Sequence, residues 1–155
     1  MYNFLAVVMF LPVPVLLSLL PDVHLYTIPL PWSFFTLLLQ VFAVLLLVVG
    51  LLHTGIWSFL GFRQLIESKT DNSPELVVKG LYQYVRHPLY TAGLLFIWLL
   101  PVMTLNLLAL VIGLSVYLVV GAIVEEKKLV NEFGDVYVEY QKQTPMLIPV
   151  KIKKE

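Results

Sequence analysis

The chain has 155 residues, room for about one domain, and 59% of them are apolar while 13% are charged, against about 45–50% and about 25% in ordinary soluble chains. A soluble core of this size cannot hide that much apolar surface, and disorder needs the opposite composition, so both classes are excluded. Ten basic and ten acidic residues cancel and there is no cysteine, which removes the basic face of a nucleic-acid binder, disulfide staples, thiolate metal sites and cysteine nucleophiles.

In chain order, residues 2–20 carry no charge and residues 32–60 carry none either. Residues 89–124 form a third uncharged run of 36 residues, where about 20 suffice to cross a bilayer. Its middle reads Pro101–Val102–Met103–Thr104–Leu105–Asn106, which suits a tight turn between two spans. The runs therefore predict four transmembrane helices at roughly 2–20, 32–60, 88–103 and 105–124. Pro12 and Pro14 disturb the first, which a membrane tolerates when neighbouring groups satisfy the freed backbone. No basic residue precedes that run and no small-x-small site follows it, so it reads as a retained helix and not as a cleaved signal.

All ten Lys and Arg fall in 61–87 and 125–155, and the loops 21–31 and 101–106 have none. With four spans these segments share one side, which the positive-inside rule makes cytoplasmic, together with both termini. Residues 125–142 continue the fourth span as a helix, with Leu129, Phe133, Val136, Tyr137 and Tyr140 recurring at steps of three and four. Thr144-Pro145 ends it, and the apolar Met146–Pro149 is placed to fold back. The expected fold is thus a single all-α domain over 1–155: an integral membrane bundle of about four transmembrane helices with a cytoplasmic C-terminal amphipathic helix.

Polar residues gather at the cytoplasmic mouth of the third and fourth spans. Pro88 suits the first helical position, and His87 before it is pushed to an extended conformation. Arg86 and His87 then stand beside a positive helix end, a natural carboxylate or phosphate site. Tyr90 and Gly93 follow on one face. Singly, such an Arg snorkels to lipid and such a Tyr belongs to the aromatic belt; together they point to a site. Glu125–Glu126 mark where the fourth span leaves the membrane. They read either as solvated carboxylates, Glu125 pairing with Lys128, or as groups that hold an ammonium or a ribose hydroxyl. His24 and His53 fall towards opposite sides of the membrane, which argues against a shared haem. No phosphate loop, nucleophile elbow or metal-spaced cluster is present in the sequence, so no metal is expected.

The string Gly80-x-Tyr82-x-x-x-Arg86-His87-Pro88-x-Tyr90, followed by an uncharged hairpin, Glu125–Glu126, Leu129, Phe133–Gly134, Tyr137, Tyr140 and Thr144-Pro145, resembles the isoprenylcysteine carboxyl methyltransferase family and its relatives the phospholipid methyltransferases. The resemblance runs from about Pro74 to Pro149. It implies a prokaryotic integral membrane methyltransferase that uses S-adenosylmethionine, yields S-adenosylhomocysteine and has no Rossmann domain. His87, Pro88, Leu89 and Tyr90 are implied to line the cofactor site with Tyr82. Pro74, Glu75, Leu76 and Val77 pass over the cofactor, and Glu67 falls near a further contact. Glu125 matches a carboxylate in the reaction centre, and Arg86 with the helix end would take the cofactor's carboxylate, so both are assigned to catalysis.

Where the eukaryotic prenylcysteine enzymes carry an arginine one turn before that carboxylate, this chain has Gly121, which disfavours a prenylcysteine carboxylate as acceptor. The small or lipophilic acceptor would enter from the bilayer; a carboxylate needs no base, whereas an amine or thiol needs Glu125 or His87. Competing readings are a membrane reductase of the sterol-reductase type using NADPH, and a non-enzymatic haem or scaffold protein.

Overall fold

The computed structural model describes residues 12–54 and 76–150. Pro74, Glu75, Glu67 and the opening residues of the expected first span lie outside them. The elements run α1 (Pro12–Leu19), β1 (His24–Thr27), α2 (Trp32–Thr54), a 3-10 turn (Gly80–Gln83), α3 (Pro88–Trp98), β2 (Val102–Thr104), α4 (Leu105–Phe133) and α5 (Asp135–Gln143).

Among the described residues, α2 and α4 are long and apolar enough to cross a membrane. Their large side chains point outwards: Phe34, Phe35, Leu38 and Phe42 on α2, and Val116, Tyr117 and Val120 on α4, are each more than half exposed. Such faces are costly in water and cost nothing against lipid tails. The chain is an integral membrane protein on this pattern.

The structure corrects the all-α expectation at the end away from the charged segments. Residues 101–106 are not a simple tight turn. Val102–Thr104 pair antiparallel with His24–Thr27, in the register His24↔Thr104, Tyr26↔Met103 and Thr27↔Val102. The two loops satisfy each other's backbone groups. Ile28 N–H donates to Pro101 O at 2.8 Å and Leu105 N–H to Val23 O at 2.9 Å. Asn106 extends the seal, its amide donating to Leu17 O at 3.1 Å while its N–H donates to Asp22 Oδ1 at 3.0 Å. The Thr104 hydroxyl, and then the Asn106 N–H, hold the Asp22 carboxyl below the ordinary carboxylate range.

The third span also ends earlier than expected. Helix α3 stops at Trp98, with Leu99 at φ −94° and ψ 13°, because Pro101 offers no donor to continue it and the residues beyond are taken into the sheet. Its 11 residues rise about 16 Å at about 1.5 Å each, well short of a bilayer core. A carbonyl freed at that end is met from α2: the buried Gln40 donates its amide N–H to Phe96 O at 3.0 Å.

Small residues let α2 and α3 approach. Ala43 and Ala92 on these helices are fully buried, and a Cβ at Gly50 would lie 2.6 Å from Leu89 Cδ2. Gly50→Val is therefore expected to destabilise the protein by about 1–3 kcal/mol through overpacking, read as a lowered unfolding midpoint in detergent; an unchanged midpoint contradicts the close packing.

Beyond the apolar stretch α4 continues unbroken through Glu125 and Glu126, as expected, but not to residue 142. Gly134, at φ 58°, breaks it, a backbone conformation glycine adopts without a Cβ penalty. The break resets the helical phase. Tyr137 becomes 1% exposed while its neighbour Val136 is 66% exposed, so Val136 leaves the apolar stripe expected of it. Thr144, extended at φ −124° and ψ 128° before Pro145, closes α5.

Candidate active site

The start of α3 forms as its residues dictate. His87 is non-helical at φ −123° and ψ 68°, and Pro88 takes the first helical position. The preceding N–H groups are not left for a ligand. Arg86 N–H donates to Pro145 O at 2.9 Å and His87 N–H to Met146 O at 3.1 Å. Four residues further along, the Thr91 hydroxyl donates to Leu147 O at 2.7 Å. The C-terminal segment 144–147 thus folds back as a strap along the entrance of α3, held carbonyl by carbonyl.

Arg86 completes the strap and anchors α4. Its Nη1 donates to Gln141 O at 3.0 Å and to Thr144 O. Its Nε and Nη2 grip Glu126 bidentately at 2.5 and 2.8 Å. The two side chains are only 9% and 13% exposed. Arg86 lies at the centre of the site, but its guanidinium is enclosed by protein acceptors and is not turned towards a ligand carboxylate.

Glu126 is the hub. Besides Arg86 its carboxylate accepts from Gln141 Nε2 at 2.8 Å and from the Tyr137 hydroxyl at 3.4 Å, and His87 Nε2 lies 3.2 Å from its Oε1. Donors thus converge on one carboxyl group from Arg86 and His87, just ahead of α3, and from Tyr137 and Gln141 on α5, the arrangement that makes burying a charge tolerable. Burial pushes the Tyr137 phenol up and the Tyr140 phenol up to about 12, so both remain donors. Tyr140 uses its proton on Tyr82 O at 2.5 Å, which docks the 3-10 turn on α5.

His87 joins this buried hub to an open face. Its ring is stacked on Tyr90, with planes 5° apart and centroids 5.4 Å apart. Its Nδ1 faces Glu125 Oε2 at 3.7 Å. Glu125 is 48% exposed, the Tyr90 hydroxyl faces its carboxylate, and a Cβ at Gly121 would sit 4.0 Å from that hydroxyl. A carboxylate, an imidazole and a phenol thus converge beside a position with no side chain, at the end of an apolar helix. Around α4, an open groove of about 450 Å³ borders the hub, lined by Ile123, Glu126, Lys127, Val130, Asn131 and Gln141, within the size range of small-ligand sites.

Of the residues expected from sequence, the structure brings Arg86, His87, Tyr90 and Glu125 together, and ties in Tyr82 through its carbonyl. Pro88 is buried as the first residue of α3, and Leu89 faces Gly50 of α2. Leu76 and Val77 lead into the 3-10 turn, and Val77 is exposed. His24 sits in the sheet at the opposite end of α4 from the site. No group of three or more potential metal ligands occurs among the described residues.

Sequence reasoning missed that Glu126, and not Glu125, is the partner of Arg86. It also missed Gln141 and the strap carbonyls. One signal was available: Tyr137 and Gln141 lie four apart, on one helix face. Nothing in the sequence said that this face would meet Glu126.

Residues 33–136 match the family model described as phospholipid methyltransferase. A methanethiol S-methyltransferase of Crocosphaera subtropica is 35% identical over 133 residues, covering 79% of this chain and 52% of that protein. One from Pseudomonas deceptionensis is 42% identical over 69 residues, 44% of this chain and 26% of the relative. A protein-S-isoprenylcysteine O-methyltransferase of Schizosaccharomyces pombe is 35% identical over 94 residues, 57% of this chain and 39% of the relative. The chain spans about half the length of these curated relatives, or less. No solved structure matches it.

Proposed function

This chain belongs to the phospholipid methyltransferase family, and we propose that it is an integral membrane methyltransferase that takes its methyl group from S-adenosylmethionine and passes it to a small thiol. The observation that carries the reading is the meeting of Glu125, His87 and Tyr90 beside Gly121. The named relatives support methyl transfer, and the reductase and haem readings find no support among them.

The residues present suit this cofactor: Glu125 offers a half-exposed carboxylate to a cation, and the stacked His87 and Tyr90 rings are able to pack against a flat base. When bound, S-adenosylmethionine supplies an electrophilic methyl on a positively charged sulfur. The chain's own residues bind and orient. His87, Pro88, Leu89, Tyr90 and Tyr82 line the cofactor site, and Pro74, Glu75, Leu76 and Val77 cover it. Glu125 is the catalytic carboxylate, and Arg86 acts as a positioning residue through Glu126. Holding donor and acceptor in line contributes about 7–11 kcal/mol in favourable cases.

A thiol is favoured over a carboxylate acceptor. Position 121 is a glycine and so supplies no cation where an anion would need one, and Arg86 is already committed to Glu126. A neutral thiol has no such need, and methanethiol is the acceptor in the names of two matched relatives. The bundle is proposed to form one domain with four membrane segments, the third of them crossing as the short α3 together with the residues that lead to β2, and with its termini and site on the cytoplasmic side, where the cofactor is made and the Lys and Arg are concentrated.

Calorimetric titration of S-adenosylmethionine into the detergent-purified full chain, beside His87→Ala, tests the reading. Saturable binding by the wild type and its loss in the variant are expected, with methanethiol then converted to dimethyl sulfide in the headspace. A folded wild-type protein that binds no S-adenosylmethionine overturns it.

A further inference from the structure

We propose that Glu126 is a positioning residue that fixes the tautomer of His87, so that His87 Nδ1 takes up the proton released by the thiol. The inference rests on the methyltransferase reading given above. Gripped bidentately by Arg86 at 2.5 and 2.8 Å, the Glu126 carboxylate is ionised, and an ionised carboxylate only accepts. The His87 nitrogen 3.2 Å from Oε1 must therefore be the one carrying hydrogen. In the neutral ring that leaves Nδ1 with a free electron pair.

The ring cannot turn to exchange the two nitrogens without loss. His87 is 7% exposed, stacked on Tyr90, fixed at its backbone by Met146 O and followed by Pro88. Among the described residues, the charged and titratable groups around it are Arg86 just ahead of α3, Tyr90 on α3, Glu125 and Glu126 from α4, and Tyr137 from α5. Nδ1 points at the open side, 3.7 Å from Glu125 Oε2. That is too long for a direct hydrogen bond and short enough for one shared proton after a small shift. Glu125, half exposed, is the conduit between acceptor, ring and solvent.

The step balances. The thiol S–H bond breaks and its proton passes by way of Glu125 to Nδ1. The sulfur's electron pair forms the new bond to the methyl group. The methyl group's former bond breaks with its electrons kept by the donor sulfur, which becomes neutral. The imidazolium left behind lies between two carboxylates and returns its proton to water through Glu125.

Two readouts test this on the full chain in detergent. The first is the nitrogen NMR spectrum of ¹⁵N-histidine-labelled protein without cofactor. Wild-type His87 is expected as the single Nε2–H tautomer, and Glu126→Gln, whose amide both donates and accepts, as a mixture. A wild-type Nδ1–H tautomer, or the same single tautomer in both proteins, overturns the lock whether or not the protein methylates anything. The second compares an alkyl thiol with an acidic aromatic thiol already ionised at neutral pH. In Glu126→Gln, kcat is expected to fall about 10²-fold or more with the alkyl thiol and less than about ten-fold with the aromatic one, whose proton is already gone. Equal losses mean a merely structural role and overturn the proposal. A wild type that binds S-adenosylmethionine yet methylates neither thiol overturns the thiol reading and with it the proton step, while the spectra still decide the tautomer.

Discussion

Replacing Arg86 by alanine is expected to destabilise the protein by about 3–5 kcal/mol, the range for breaking one side of a buried ion pair. The loss has three parts. Glu126 is left buried with its charge no longer matched. The Gln141 and Thr144 carbonyls lose their charged donor. The strap then keeps only its backbone bonds and the Thr91 hydroxyl. Reversible unfolding in mixed detergent micelles measures the change. Arg86→Met together with Glu126→Leu is expected to recover most of it, since an apolar pair of similar volume leaves no unmatched charge. A loss below about 1 kcal/mol, the value of an exposed pair, contradicts the enclosed hub.

Glu125→Gln is expected to leave folding intact and lower kcat towards an alkyl thiol by about 10²–10⁴-fold, the usual contribution of a positioned proton-transfer group. The side chain is half exposed and the replacement is nearly isosteric, so no packing is lost. Single-turnover methyl transfer separates the chemical step from binding. Wild-type kcat in the variant removes Glu125 from the chemistry and moves attention to Tyr90, which shares its face. Arg86→Ala is thus expected to fail in stability and Glu125→Gln in rate, while Glu126, between them, acts on rate through His87. Adjacent positions on one helix differ this way because successive residues point about 100° apart, one into the bundle and one to its open edge.

Much of this was readable in advance. Uncharged runs announced α2 and α4, since only lipid accommodates such length and hydropathy. Pro88 announced the first residue of α3 because its ring fits that position and little else. The order of Arg86, His87, Pro88, Tyr90 and Glu125 announced a site. The strand pair 24–27 with 102–104 was not readable. Neither segment alternates clearly, and each forms only because the other meets its backbone. The early end of α3 follows from the same pairing.

The sequence by itself determined the solvent, the helices and the types of group available for chemistry, because composition, hydropathy and proline placement act locally on the chain. Only the tertiary structure decided which carboxylate Arg86 takes, that the strap closes on residues 86–91, and that His87 lies between Glu126 and Glu125. Those outcomes depend on residues about 40 to 60 positions apart, whose meeting is set by how α3, α4 and α5 pack. No local propensity encodes which of two adjacent glutamates will face inwards. The helical phase at Glu126 and the break at Gly134 decide it together.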